Sequence, residues 1–313
     1  MTKVSVRGAV AAAIQTEAAA NPNVYIVTTD SRGSAMVTGL ADLFPERFIE
    51  CGIAEQNAVG VASGLASTGK TVFVLSPACF LSARSYEQVK IDVAYNESDV
   101  KLIGVSAGVS YGPLGGTHTT LNDFASMRAL PNLEIYAPAD AVQAAAITKH
   151  IAQDGKPVWL RIGRGDVEAV YEDGESFDIE RAKVVCDGSD ITLIACGEMV
   201  LYAKKAAGLL AEAGIAARVL DMFRLKPVDA AAVIQASYDT EAILTIEEHS
   251  IHGGLGEMVA GILAQNHCVP LKIMGFPDEE YKVGSSQELF EHYGLTAENI
   301  AREAGALLER ARL

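Results

Sequence analysis

The stretch that decides the fold of this chain is FIECGIAEQN (48–57), which continues into the small-residue run AVGVASGLA (58–66). A short apolar segment leads into a carboxylate, Glu55, at the first turn of a helix predicted over 55–68. The unpaired N–H groups and the positive dipole end of a helix N-terminus favour an ionised carboxylate. Behind it, Gly60 and Gly64 would let another backbone pack closely. On this stretch alone, an acid at the start of a core helix is the simpler interpretation.

Apolar, β-rich runs alternate with helical patterns on either side of this stretch. Buried strands are predicted at VYIVTT (24–29), TVFVLS (71–76), VKLIGVS (100–106), LEIYAP (133–138) and PVWLRI (157–162). Helices are predicted around 6–20, 55–68, 82–95, 120–130 and 140–153. The alternation is typical of a parallel sheet with crossover helices.

The pattern restarts after a polar, Gly-rich segment. Strands are predicted at AKVVC (182–186), ITLIAC (191–196), AARVLDM (216–222), AILTIEE (242–248) and PLKIMG (270–275), with helices near 198–213, 255–265 and 296–311. The chain is therefore predicted to be an α/β protein of two domains, each a mostly parallel sheet flanked by helices. We place the first domain at 1–170, a linker at 171–188 and the second domain at 189–313.

Composition excludes several classes of protein. The net charge of −15 argues against a nucleic-acid binder, which needs a basic footprint. No apolar run reaches the length of a membrane span, and the N-terminus is interpreted as an amphipathic helix rather than a signal peptide. The five cysteines form no C-x-x-C pair, which favours reduced thiols, a cytoplasmic location and no zinc site.

The carboxyl ends of parallel strands meet at one edge of a sheet, where ligands bind. The loops at those ends are TTDSRGS (28–34), SPACF (76–80), SAGVSYGPLGGTHTT (106–120) and RIGRGD (161–166), together with the entry to Glu55. We expect them to converge on one site. The arginines of these loops suit an anionic end of a substrate.

These segments, taken together and in order, resemble the C-terminal portion of transketolase, which comprises a pyrimidine-binding domain and a small C-terminal domain. The resemblance rests on FIECGIAEQN (48–57), SPACFLSARSYEQVKIDVAY (76–95), YGPLGGTHTTLNDFASMRALPNLEIYAPAD (111–140), VWLRIGRG (158–165), DMFRLKPVD (221–229) and EEHSIHGGLGE (247–257). It covers essentially the whole chain.

The resemblance implies thiamine diphosphate as the cofactor. In that family a glutamate hydrogen-bonds N1′ of the aminopyrimidine and so assists deprotonation of thiazolium C2; Glu55 matches it as a catalytic and cofactor-binding residue. Phe80 matches the aromatic ring that stacks on the pyrimidine. Arg84 and Tyr86 are implied as further cofactor contacts. Plain core packing is the alternative for Phe80 and Tyr86.

The resemblance also implies substrate-binding residues. His118, in GGTH, matches a histidine that meets substrate hydroxyls and assists proton transfer, and a hydrogen-bonded loop histidine is the alternative. Arg161, Arg7 and Ser34 match ligands of the sugar phosphate, although Arg7 could equally be a surface residue. Asp30 matches an acid near the substrate channel.

Two positions depart from the family pattern. Leu114 stands where transketolases carry an aspartate that touches the donor's C2 hydroxyl. Ser106 stands where they often carry a histidine that contacts the phosphate. The substrate is therefore expected to differ from the usual pentose phosphates, and a sugar sulfonate or a branched-sugar phosphate would be compatible.

The family's diphosphate-binding motif, Gly-Asp-Gly with a downstream Asn for Mg²⁺, does not occur in this sequence. The resemblance therefore implies that a separate N-terminal subunit binds the diphosphate and Mg²⁺, and that no residue of this chain is a metal ligand. The expected assembly is an α2β2 heterotetramer in which this chain also self-associates through the Gly/Ala face behind Glu55. The isolated chain is expected to bind the cofactor very weakly.

Three other functions stay open. The beta subunit of a 2-oxo acid dehydrogenase's thiamine-dependent component has the same domain pair, but the GGTH loop and Arg161 favour a sugar. A split 1-deoxyxylulose-5-phosphate synthase is a lesser option. A catalytically inactive structural partner is disfavoured by the joint presence of Glu55, Phe80 and His118. We assign His249, His252 and GGLGE to packing and dimerisation, with no catalytic role.

Overall fold

The computed structural model describes residues 3–313, so the first two residues of the predicted first domain lie outside it. Its strands are β1 Lys3–Ser5, β2 Val24–Thr28, β3 Phe48–Glu50, β4 Thr71–Pro77, β5 Val100–Val105, β6 Glu134–Tyr136, β7 Val158–Arg161, β8 Asp166–Glu168, β9 Lys183–Cys186, β10 Ile191–Ala195, β11 Ala217–Asp221, β12 Arg224–Lys226, β13 Ala242–Ser250 and β14 Leu271–Phe276.

Its α-helices are α1 Val6–Ala20, α2 Thr38–Leu43, α3 Glu55–Ala66, α4 Ala78–Ala83, α5 Tyr86–Gln88, α6 Asp123–Arg128, α7 Ala141–Ile151, α8 Met199–Glu212, α9 Ala230–Asp239, α10 Leu255–Gln265, α11 Ser286–Tyr293 and α12 Ala297–Ala311. Within residues 3–313, none of these helices has the length and apolar character needed to cross a bilayer.

The first sheet has seven strands in the order β12-β6-β7-β5-β4-β2-β3. All of its pairs are parallel except that of β12 with β6. The second sheet has the order β14-β13-β10-β11-β9, in which only β9 runs antiparallel. The predicted fold class, two mostly parallel sheets flanked by helices, is therefore confirmed, while the exact domain boundaries stay a prediction.

Two connections tie the halves together more closely than the sequence pattern indicates. Strand β12 comes from the second half of the chain but forms the antiparallel edge of the first sheet. Strand β1 pairs with β8, so the N-terminus is bound to the segment that follows the last strand of the first half. Both strands have only three residues, too short for a periodic signal.

The helix predicted over 82–95 is broken into three pieces. Helix α4 ends at Ala83, the short α5 follows, and Val89–Tyr95 forms a π-helical turn. The hydroxyls of Ser82 and Ser85 donate to carbonyls four residues earlier, a contact that bends helices. The break places Phe80 and Arg84 on a short segment beside Glu55.

Candidate active site

A cavity of about 260 Å³ opens at the carboxyl ends of the parallel strands of the first sheet. It brings together five of the predicted site residues and one of the two positions that depart from the family pattern. Its lining comprises Thr29, Asp30, Ser31, Ser34, Ile53, Glu55, Pro77, Phe80, Tyr111, Leu114 and His118. A carboxylate, an imidazole and two aromatic rings thus share one space.

Glu55 is almost completely buried, with 1% of its surface exposed, although it carries a carboxylate. The chain leaves β3 and begins α3 at this residue, and no side chain caps the helix. The carboxylate thus belongs to the first turn, at the positive end of the helix dipole. Arg84 Nη1 lies 2.8 Å from Glu55 Oε2, which supplies a cationic partner.

Arg84 also lies flat against an aromatic ring. Its Cζ is 4.5 Å from the centroid of the Phe80 ring. The other contact of that ring is with His118, whose centroid is 5.1 Å away in an edge-on arrangement. Arg84, which is 45% exposed, thereby joins Glu55 to Phe80, and the Phe80 ring joins both to His118.

His118 ends the glycine-rich loop that follows β5. Its Nδ1 is 2.9 Å from the Thr117 hydroxyl, and its ring lies edge-on to Tyr111 at 5.5 Å. Gly115 adopts φ +69°, a conformation that glycine reaches without strain, and this turn directs the chain into His118. The ring is therefore held from two sides within the cavity.

Glu50 anchors the loop that carries Asp30, a role that the sequence analysis missed. Its carboxylate accepts hydrogen bonds from the N–H of Asp30 (2.7 Å), the N–H of Gly52 (3.0 Å) and the Thr28 hydroxyl (2.9 Å). Burial opposes ionisation, but these bonds and one from Arg32 hold the pKa of Glu50 below its usual value. Asp30 itself has φ +54°, which this anchoring stabilises.

Two arginines stand together at one side of the cavity. Arg7 Nη1 donates to the Ser34 carbonyl (2.5 Å), whereas its buried Nε has no hydrogen-bond partner. Burial and the charge of Arg164 lower the pKa of Arg7. Arg164 donates to the Tyr111 hydroxyl (2.7 Å) and stacks on its ring at 4.6 Å. An anion placed here would relieve the repulsion between the two cations.

Arg161, predicted as a substrate ligand, does not reach the cavity. Its guanidinium is buried, 3.1 Å from Asp123, 2.6 Å from the carbonyl of Glu248 and stacked over Phe124 at 4.7 Å. These partners leave it no free face for a substrate, so its geometry gives the predicted role no support. Of the two arginines in RIGRGD (161–166), Arg164 is the one near the cavity. Its position beyond the end of the strand was the sequence feature that could have indicated this.

Tyr86 and Ser106 also lie outside the cavity. The Tyr86 hydroxyl donates to the Ser126 carbonyl (3.2 Å), and its ring packs against the core. Ser106 is fully buried with φ +56°, and its hydroxyl has no partner. Within residues 3–313, no group of three or more His, Cys, Asp or Glu side chains is arranged to hold a metal ion.

The buried position of Arg161 generates a stability prediction. Replacing it (Arg161→Met) leaves Asp123 and Glu248 buried without their cation, so the free energy of unfolding should fall by about 3–5 kcal/mol. Arg164→Met removes a partly exposed arginine and should cost about 1 kcal/mol. Urea unfolding of both variants measures the difference. Equal, small losses would show that Arg161 is not structural.

Two family models match the chain. The transketolase pyrimidine-binding domain matches residues 2–169, and the transketolase C-terminal domain matches residues 180–300. Together they cover both halves of the fold, and the first alone spans more than half of the chain. The suspected resemblance is thereby confirmed.

Similar proteins include subunits of two-subunit enzymes. One of the subunits of the apulose-4-phosphate transketolase of Phocaeicola vulgatus is 48% identical over 90% of each chain. The 6-deoxy-6-sulfo-D-fructose transketolase subunit SqwH of Clostridium sp. strain MSTE9 is 37% identical over 92% of this chain and 89% of its own.

Among solved structures, a split-gene transketolase described as an inactive beta4 tetramer superimposes with a TM-score of 0.88. It is 36% identical, and the match covers 99% of this chain and 98% of that one. The chain belongs to the transketolase family, as the subunit that carries the pyrimidine-binding and C-terminal domains of a two-subunit transketolase.

Proposed function

We propose that this chain contributes the Glu55 half of a thiamine-diphosphate-dependent active site that transfers a two-carbon ketol unit from a ketose to an aldose. The observation that carries the proposal is the meeting of Glu55, Phe80 and His118 around one cavity. A buried carboxylate, an aromatic face and an imidazole are the groups needed to bind a heteroaromatic cofactor and to move protons beside it.

The residues present fit the pyrimidine end of thiamine diphosphate. A planar nitrogen cation, the Arg84 guanidinium, already makes both contacts expected of a protonated aminopyrimidine: the carboxylate of Glu55 and the face of Phe80. Arg84 is largely exposed and can swing outward, which would free both contacts. When bound, the cofactor supplies a carbon nucleophile and an electron sink.

The side chains of this chain have separate tasks in the proposed reaction. Glu55, at the start of α3, accepts the hydrogen bond of the ring nitrogen N1′. His118 takes up or delivers protons at substrate hydroxyls. Leu114 gives an apolar wall where a classical transketolase has a carboxylate, so the donor's C2 hydroxyl loses one hydrogen-bond partner. Asp30 and Ser34 line the opposite side of the cavity.

The substrate is proposed to carry a terminal phosphate or sulfonate. Arg7, Arg164 and Ser34 stand together at one side of the cavity, and a tetrahedral anion suits two arginines. The named substrates of the relatives, apulose 4-phosphate and 6-deoxy-6-sulfo-D-fructose, include one phosphate and one sulfonated sugar. The substrates of these relatives and the apolar Leu114 both favour a substrate other than the usual pentose phosphates.

The other half of the site is proposed to come from an N-terminal transketolase subunit that binds the diphosphate and Mg²⁺. The apolar side chains of Ile53 and Leu114 are 75% and 55% exposed beside the cavity, where such a subunit would cover them. On α3, a Cβ added to Gly60 or Gly64 would meet no atom within 4 Å, so that face is open for a second copy of this chain. The proposed complex is an α2β2 heterotetramer.

The central role of Glu55 is tested by Glu55→Gln in the complex with the partner subunit. Loss of the carboxylate should lower kcat by at least about 100-fold, the scale of a lost proton-transfer group. The exposed carboxylate of Glu87, on the neighbouring α5, provides the control variant Glu87→Gln. Turnover is measured with a ketose donor and an aldose acceptor. Unchanged turnover in Glu55→Gln would contradict the role proposed for the Glu55 carboxylate.

The anionic subsite is tested by Arg164→Met with a panel of donors and acceptors. The KM for phosphorylated or sulfonated sugars should rise about 10-fold or more, because a charge-assisted bond is worth roughly 1.5–3 kcal/mol, while uncharged sugars should be affected little. The same panel, with pyruvate and other 2-oxo acids added, distinguishes a transketolase from a 2-oxo acid dehydrogenase component and from a 1-deoxyxylulose-5-phosphate synthase. Best activity on xylulose 5-phosphate with ribose 5-phosphate would contradict the proposed substrate class.

A further inference from the structure

Two glycines in the loops around the cavity lie against glutamates from the C-terminal half of the chain. A Cβ on Gly108, which has φ +64°, would lie 2.1 Å from the carboxyl group of Glu248. A Cβ on Gly163 would lie 1.7 Å from Oε1 of Glu198. Both distances are far inside van der Waals contact, so only glycine lets these carboxyl groups come so close.

Glu248 binds the loop that carries His118. Its Oε1 accepts the N–H of Val109 at 2.8 Å, and 4% of the residue is exposed. Two residues further along the chain, the N–H of Ser250 donates to the carbonyl of Leu121 at 2.9 Å. The second half of the molecule thus holds this loop on both sides of His118.

Glu198 packs against the other loop at Gly163, next to Arg164. It directly precedes α8, and its Oε1 is enclosed without a hydrogen-bond partner, although the residue as a whole keeps some exposure. Burial and the negative charge of Glu248 raise the pKa of Glu198 to about 8, against the opposing effect of Arg161. The two carboxyl groups therefore titrate as a coupled pair, in which Glu198 keeps its proton at neutral pH.

We propose that Glu198 and Glu248 are positioning residues for the reaction proposed above, acting through the two loops that they hold. Neither lines the cavity. Glu248 holds the loop that carries His118 through the Val109 N–H, and Glu198 packs against the backbone next to Arg164. The inference rests on the proposed function. A displacement of about 1 Å in a catalytic group can cost about 100-fold in rate, so small movements of these loops matter.

The raised pKa of Glu198 beside Glu248 gives the pair a dependence on pH. The groups that face it are Arg161 from β7, Asp123 from α6 and Tyr202 from α8. Arg161 already pairs with Asp123, so it cannot neutralise two further carboxylates. Glu198 holds its proton below about pH 8 and loses it above. Repulsion should then loosen both loops, so kcat/KM should decline reversibly with a midpoint near pH 8.

The test uses the complex with the partner subunit, thiamine diphosphate and Mg²⁺, with kcat and KM followed from neutral to alkaline pH. Glu248→Ala should lower kcat about 10- to 100-fold at neutral pH. Glu248→Gln should restore most of it, because an amide oxygen still accepts the Val109 N–H, and should lack the alkaline decline. Glu198→Gln should lack that decline as well.

A neighbouring glutamate provides the matched control. Glu247 is equally buried in β13, but its carboxylate accepts the N–H groups of Leu255 and Gly256 within its own half of the molecule. Glu247→Gln should lower the melting temperature and leave kcat and the alkaline decline as in the wild type. This separates loss of stability from loss of positioning.

Two results would overturn the inference. One is a Glu248→Ala variant that folds and turns over like the wild type. The other is an unchanged alkaline decline of kcat/KM in both Glu248→Gln and Glu198→Gln. This second result can be obtained even if Glu248→Ala fails to fold. A wild-type complex without transketolase turnover overturns the proposed function and the inference together, whereas an active wild type with unaffected variants overturns the inference alone.

Discussion

The burial of one carboxylate at the start of a helix is the constraint on which the rest of the site depends. Glu55 is removed from water, and an ion in such a place persists only when fixed dipoles or a cation face it. The guanidinium of Arg84, beside Glu55 at the start of α3, meets that requirement. The short entry from β3 and the break after α4 are the local features that bring them together.

The same constraint explains why the second half of the chain matters to the site. A carboxylate, an imidazole and two arginines keep a fixed arrangement around a cavity only if the loops that carry them are held in place. Loops are more mobile than the helices and strands that they connect. Strand β12 completes the first sheet, and Glu198 and Glu248 contact the backbones of two loops at Gly163 and Gly108. Only His249, His252 and GGLGE of the C-terminal half were assigned a role from sequence, in packing and dimerisation, and we propose that this half also supports the site.

Periodicity predicts the strands and helices of both sheets well, because buried parallel strands are continuous apolar runs. It also places Glu55, Phe80 and His118 in the segments that follow strands, which is where the structure has them. It fails between Arg161 and Arg164, which are three residues apart. Arg161 is the last residue of β7 and turns into the core towards Asp123, whereas Arg164 lies beyond the strand. Pattern alone cannot give the direction of a side chain at a strand end.

Partners that are distant in sequence are the second limit. Glu248 and Val109 lie 139 residues apart, so no local spacing connects them.

Calorimetry is the direct test of whether Glu55 forms only half of a cofactor site. Thiamine diphosphate with Mg²⁺ is titrated into this chain, into the N-terminal subunit and into their mixture. We predict that the mixture binds thiamine diphosphate tightly and that this chain alone binds it very weakly. Tight binding to the isolated chain would contradict it.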